Sequence, residues 1–337
     1  MNNQSGFVPR RRSQSMIVVE GNHEKNKLFS LLFDCFPELH IAKDDIWIYG
    51  TNIYQLYNDI VKEYGDDWIE TDIDLPFVVS KKKYPNELRY KSDFINIILV
   101  FDYERQDPNF SEEKILQMQS YFKDAADVGQ LYINYPMVES YQELPDSLDE
   151  FLSKKWQYPM KPGKYYKKQV KNTIMQEYVE LPNRFDEILF ERFYMSDQTL
   201  RTQCIRKFLS LNNAGTLLGD ITSILVDNLD KRCKDTAIGQ FYDLISRSQY
   251  VKQGITYWQY MRQMFQTIIK MHMRKAIGIQ LHNMHLNSEY EIEIGRIELD
   301  TILSLQNEAS QKAMDPFIWI LNTCIFIIPE YNGKLLK

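Results

Sequence analysis

Four carboxylates occupy positions that a folded chain can bring to one point. Glu20 ends a short apolar run. Asp102 and Glu104 end a longer one inside FDYERQDP, and Glu139 follows a further run inside INYPMVES. Glu24, Asp107 and His23 lie beside them in sequence as weaker candidates. Carboxylates held together repel, and some stay protonated at neutral pH. A hard divalent cation removes that conflict, and an all-oxygen ligand set suits Mg²⁺ or Mn²⁺ rather than zinc. Two residues apart in a strand share a side, so Asp102 and Glu104 can face one ion. Gly21, directly after Glu20, permits close backbone approach at a strand-to-helix turn. The helix that follows offers its N-terminus to a phosphate. Each piece has a bland alternative. A D-x-E pair at a strand end is commonly a solvated turn, and Glu139 can simply cap a helix after Pro136.

The elements that must position these acids follow from the apolar pattern. Residues 16–19 and 46–49 read as short strands, each followed by a helix, over 24–36 and 52–64. Residues 76–80 are a possible strand before a Lys81-Lys82-Lys83 turn. FINIILVF, residues 94–101, is almost continuously apolar and predicts a strand covered on both faces. Ser111 predicts an N-cap for a helix to about residue 123. Residues 129–135 predict another strand, with a helix after Pro136. The alternation β-α-β-α-β-α-β predicts an α/β fold, a mostly parallel sheet with helices on both faces. In such sheets ligands bind beyond the carboxyl ends of the strands, where these acids fall. After about residue 150 strand signals thin out and long amphipathic stretches dominate, as at 184–211 and 240–284. The expected organisation is a disordered basic tail over 1–15, an α/β domain over 16–150 and a mainly α-helical domain over 151–337.

The motifs carry a resemblance. The run IVVEGNHE, from Ile17 to Glu24, resembles the first motif of Toprim domains: an apolar strand, Glu-Gly, then an acid. The run ending VFDYE resembles the second, an apolar strand closed by D-x-D, with Glu104 in place of the second Asp. Tyr135-Pro-Met-Val-Glu139 resembles a Pro-x-x-Glu element of Toprim nucleases related to the OLD family. The resemblance covers roughly residues 16–145. With its helical tail the chain is most similar to stand-alone Toprim effectors of anti-phage systems, the AriB-type effectors of PARIS and their AbiL-like relatives. The resemblance implies a Mg²⁺-dependent nuclease, cleaving RNA (tRNA favoured over DNA) as the toxic effector of abortive infection. It also implies a separate ABC-type ATPase that senses infection and releases the nuclease. Glu20 would be the central catalytic acid. Asp102 and Glu104 would hold the metal, and Glu139 would complete a second metal position. The Glu at 104 departs from the family pattern and bears on how many ions bind.

Charge is unevenly spread over the 337 residues, whose formal net charge is −6. Residues 1–150 hold 15 Lys and Arg against 27 Asp and Glu, and residues 151–337 hold 25 against 19. An acidic front attracts cations and a basic back attracts phosphates. The basic stretch KKWQYPMKPGKYYKKQVK, residues 154–171, concentrates Lys154, Lys155, Lys161, Lys164, Lys167, Lys168 and Lys171 with Tyr165 and Tyr166. Lys binds phosphates and aromatic faces stack on unpaired bases, so a nucleic-acid-guiding loop is expected; a solvated linker is the alternative. Pro159, Pro162 and Gly163 argue against a helix through its centre.

Other features bound the reading. Cys35, Cys204, Cys233 and Cys324 form no CxxC pair, which argues against a cysteine zinc site and fits free thiols in a reducing cytoplasm. His272, His282 and His285 lack the acid pattern of a zinc motif. Lys25 is another residue that can touch a phosphate, or simply be solvated. Met- and aromatic-rich residues 257–273 can be core, a homodimer seam or a partner-facing surface. No apolar run approaches the ~20 residues that span a bilayer. No Walker A motif is present, so any ATPase is expected as a partner. Two further function classes remain beside the nuclease: a non-catalytic Toprim-fold binding or regulatory module, and another metal-dependent phosphoryl-transfer enzyme on nucleic acid.

Overall fold

The strands form where the sequence is most continuously apolar. The computed structural model of the protein describes residues 13–144, 147–157, 162–171, 173–226, 231–284 and 293–337. In it β1 (Ser13–Val19), β2 (Ile46–Ile48), β3 (Phe94–Asp102), β4 (Lys123–Asp124) and β5 (Gly129–Asn134) make one sheet in the order β2-β1-β3-β5-β4. All pairs are parallel except β4 with β5. Val19 is in register with Val100 and Ile48, and Asp102 with Asn134, so the carboxyl ends of β1, β3 and β5 lie side by side. Leu99, Val100 and Phe101 are buried, as expected of a strand covered on both faces.

Helices cover both faces. A π-helical turn (Glu24–Phe29) runs into α1 (Ser30–Cys35) between β1 and β2. Between β2 and β3 come α2 (Ile53–Tyr64) and α3 (Leu75–Lys83), and between β3 and β4 comes α4 (Glu112–Tyr121). The chain steps one way from β1 to β2 and the other way from β2 to β3. Right-handed crossovers therefore place α1 opposite α2 and α4. Residues 76–80, expected as a strand, belong to α3. Asp74 caps that helix by accepting from Phe77 N at 3.0 Å, and Pro76 sits in its first turn, where a missing N–H costs nothing. Lys81–Lys83 is the last turn of this helix, where cations suit the dipole. Ser111 caps α4 as expected, by accepting from Lys114 N.

The second half is mostly helical and shares one continuous apolar core with the first. After α5 (Leu148–Ser153) and a short β6 (Lys155–Gln157) come α6 (Pro162–Val170), α7 (Ile174–Glu187), α8 (Gln198–Leu209), α9 (Leu217–Val226), α10 (Lys231–Ser246), α11 (Gln249–Lys252), α12 (Tyr257–Gln280) and α13 (Leu299–Ser310). The chain then returns to the sheet. β7 (Phe317–Trp319) pairs antiparallel with β6, Tyr135 and Leu321 exchange two backbone hydrogen bonds of 2.8 Å, and α14 (Ile327–Asn332) follows. α12 packs against α1, and α13 against α4.

Several expectations change here. The N-terminal tail ends earlier than residue 15, because β1 begins at Ser13; residues 1–12 lie outside the described residues. The 154–171 stretch is not a loop: it holds β6 and α6, and Pro162 is tolerated because it opens the helix instead of interrupting it. The Met- and aromatic-rich stretch is core, with Tyr257, Met261, Met264, Phe265 and Met273 all buried, so it is not a partner-facing surface. His272 is fully buried, and its Nδ1 accepts from Asn322 N at 3.0 Å. His285 lies outside the described residues. Cys35, Cys204 and Cys324 are free and buried, and the side chain of Cys233 lies outside the described residues.

Candidate functional site

The carboxyl ends of β1 and β3 open into a cleft of about 1040 Å³ lined by Glu20, Glu24, Asp102, Glu104, Lys167, Lys168 and Lys171, among others. Glu20 is the first residue past β1. Its carboxylate accepts from the Asp102 backbone N–H. Glu24 folds back over the β1 turn, and its Oε2 accepts from Gly21 N at 2.9 Å. Asp102, the last residue of β3, is buried and accepts from Val138 N at 2.7 Å. Tyr103 between the two acids points the other way, into the core, and donates to Asn307 Oδ1 at 2.5 Å.

Glu104 has φ +39°, in the left-handed region that side chains rarely enter. The turn there is fixed by Asp107 N donating to Glu104 O at 2.8 Å. Asn52 secures both acids from the neighbouring element. Its Nδ2 donates to Asp107 Oδ2 at 2.7 Å and to Glu104 Oε2 at 3.3 Å, while its Oδ1 caps α2. Sequence reading treated residue 52 only as the start of a helix. Its bond to Glu104 depends on the parallel packing of the strands and has no local signature.

Glu139 lies deeper, in a 3-10 turn (Val138–Gln142) behind the cleft wall. Its side chain is 3% exposed. Lys167 Nζ reaches Glu139 Oε1 at 2.8 Å, and His23 Nε2 stands 3.5 Å from the same oxygen. Lys167 projects from α6. That helix is pinned from below by Tyr166, which is fully buried edge-on against Trp156 at 5.1 Å. Gln169 adds a hydrogen bond to Glu143 at 3.3 Å.

Burial and like charge raise the acids of the cleft. Burial, then the Glu104 and Glu24 charges, push Glu20 up to about 8, against the opposing pull of the Asp102 N–H and Lys167. Burial and the charges of Glu20, Glu24 and Glu139 hold Asp102 well above the usual carboxylate range. Glu104 is raised by burial and by Asp107. Burial works against the Lys167 charge, but its bond to Glu139 wins and raises it.

The structure thus brings together Glu20, His23, Glu24, Asp102 and Glu104 on the cleft wall, with Glu139 behind it. Asp107 joins through Asn52. Among the basic candidates, Lys167, Lys168 and Lys171 reach the cleft, and Tyr165 is exposed beside them. The others do not. Tyr166 is core and cannot stack on a base. Lys154 pairs with Glu143 at 2.5 Å, and Lys155 sits 4.0 Å above the Phe317 ring. Lys161 and the side chain of Lys164 lie outside the described residues. Lys25 donates to Ile46 O at 2.9 Å and is spent on the backbone.

Among the described residues, no group of three or more His, Cys, Asp or Glu side chains stands together as a ready-made metal cage. The donor set nevertheless fits a hard cation. It is all oxygen, and Glu20 Oε2 is buried without a hydrogen-bond partner. Comparison of the chain with protein-family models, with curated proteins and with solved structures finds no match.

Proposed function

We propose that this chain is a Mg²⁺- or Mn²⁺-dependent nuclease of the Toprim type, acting on RNA, with tRNA favoured over DNA, as the effector of an anti-phage system. The observation that carries this reading is one juxtaposition. Glu20, Asp102 and Glu104, all raised above their ordinary values, share a cleft at adjacent parallel strand ends with Lys167, Lys168 and Lys171. Carboxylates raised by burial and like charge beside the exposed ammoniums of Lys168 and Lys171 are together what a cation-bridged phosphate would satisfy.

Glu20, Asp102 and Glu104 would hold the ion, which supplies charge neutralisation at the scissile phosphate and a more acidic water. The remaining roles belong to the chain itself. Lys168 and Lys171 on the rim of the cleft bind the phosphates on either side. Tyr165 offers an exposed face for an unpaired base. Control by a separate ABC-type ATPase in the cytoplasm belongs to the same proposal, which rests there on the resemblance. Among the described residues, no helix is long and apolar enough to cross a membrane.

The lack of a ready-made cage favours a second reading, a module that binds nucleic acid without cutting it. Incubating purified protein with a mixed RNA and DNA pool separates the two. Cleavage is expected with Mg²⁺ and none with EDTA. Glu20→Gln should lower the rate by about 10²–10⁴-fold, the usual worth of such a group. Retention of the pool without cleavage at any Mg²⁺ or Mn²⁺ concentration would leave the binding module.

A further inference from the structure

Glu139 is the acid that the cleft does not show. Its side chain is 3% exposed, and the charged group that closes on it from the cleft side is the Lys167 ammonium, 2.8 Å from Oε1. Lys167 itself is 49% exposed and lines the cleft, so it stands between the open space and Glu139. A divalent ion on a carboxylate oxygen sits at about 2.0–2.1 Å for Mg²⁺. An ammonium already on Oε1 denies that oxygen to an ion, and a cation on Oε2 of the same carboxylate would be repelled by it at a few Å. The lysine is not carried there by a wandering segment. The residue before it, Tyr166, is buried against Trp156, and Gln169 is bonded to Glu143. Only the Lys167 side chain has freedom to withdraw.

We infer that Lys167 is a built-in counter-ion that takes the Glu139 side of the cleft, so that the chain holds one divalent cation, on Glu20, Asp102 and Glu104. A second ion enters only when the lysine is removed or drawn away. This inference rests on the metal-site reading proposed above. It assigns Glu139 a different resting partner from the one that the resemblance implies.

The test is Mn²⁺ titration, counting bound ions from the free-Mn²⁺ electron paramagnetic resonance signal, with calorimetry for affinity. Four proteins are compared: the unaltered chain, Lys167→Gln, Lys167→Arg, and Lys167→Gln combined with Glu139→Gln. One ion is expected in the unaltered chain and in Lys167→Arg. Two are expected in Lys167→Gln, with the first bound about tenfold more tightly once a neighbouring positive charge is gone. The double variant should return to one. Removing Lys167 leaves the buried Glu139 carboxylate unpaired, so thermal melts are recorded for all four proteins and ions are counted at a temperature where each is folded. One ion at unchanged affinity in Lys167→Gln overturns the counter-ion role and leaves the metal reading standing. So do two ions in the unaltered chain. No binding by any of the four overturns the metal reading and this inference with it.

Discussion

Between pH 4.5 and about 8 the folded chain keeps a proton on Glu20 that the unfolded chain has released, because burial and the Glu104 and Glu24 charges raise it. The folded state binds more protons across that window, so stability falls as pH rises through it and levels off above it. The protein in EDTA should therefore resist urea better at pH 5 than at pH 8. Glu20→Gln should show a visibly shallower decline, and the slope left belongs to the other raised carboxyls, Asp102, Glu104, Asp34, Asp74 and Glu330 among them. Identical slopes in the two proteins, followed by urea midpoints at several pH values, would remove Glu20 as the titrating group. The acids themselves were legible in the sequence because each follows an apolar run, and strand ends are fixed by the pattern alone. The partners were not. Asn52 meets Glu104 across 52 positions, and Lys167 meets Glu139 only after α6 has docked. Neither pairing leaves a trace in local spacing.

At the scale of elements, α6 shows how the same residues permit two readings. Residues 164–168 read KYYKK, and a solvated, base-stacking loop explains that mixture as well as a helix with one buried stripe does. Tyr166 and Val170, four apart on one helix face, are the buried stripe; Lys167, Lys168 and Lys171 fall on the cleft side. Pro162 and Gly163 looked like breakers, yet a proline opens helices without cost. The α3 misreading has the same origin, since β-branched Val78 and Val79 suggested a strand while Asp74 and Pro76 spelled a helix start. What survives is the placement of charge beside the acids. Replacing Lys168 and Lys171 with Gln removes two potential phosphate contacts. The log–log salt slope for single-stranded RNA binding should fall by about 1.4, at about 0.7 per contact. Fluorescence anisotropy between low and moderate salt measures this. An unchanged slope would return α6 to an ordinary solvated helix.

The whole molecule closes on its own site. Asn322, fully buried, donates to Val138 O at 2.8 Å and to Ser140 Oγ at 3.2 Å, while Asn134 Oδ1 accepts from Thr323 N at 3.2 Å. The same Val138 gives its N–H to Asp102. Asn322→Ala leaves the Val138 carbonyl short of a donor, at a cost of about 1–3 kcal/mol. A lower melting temperature and weaker Mn²⁺ binding should appear together; a lower melting temperature with full Mn²⁺ affinity would mean that the turn keeps its shape without this anchor. The α/β half was readable because its period is strong and local. The return of residues 317–332 to the sheet was not, since a short apolar segment carries no address for the strand that it will meet.

That return has a consequence for the order of events during synthesis. β1, β3 and β5 leave the ribosome early, and with them every acid of the cleft. Asn322, which anchors the 136–140 turn, lies 182–184 positions behind its partners in the chain. Contacts of such long sequence separation form late. A growing chain can therefore build its sheet while the turn that presents Val138 to Asp102 still lacks its anchor. If the cleft cuts nucleic acid, the ribosome and the tRNAs around it are shielded from the half-made protein by topology alone, before any partner has to restrain it.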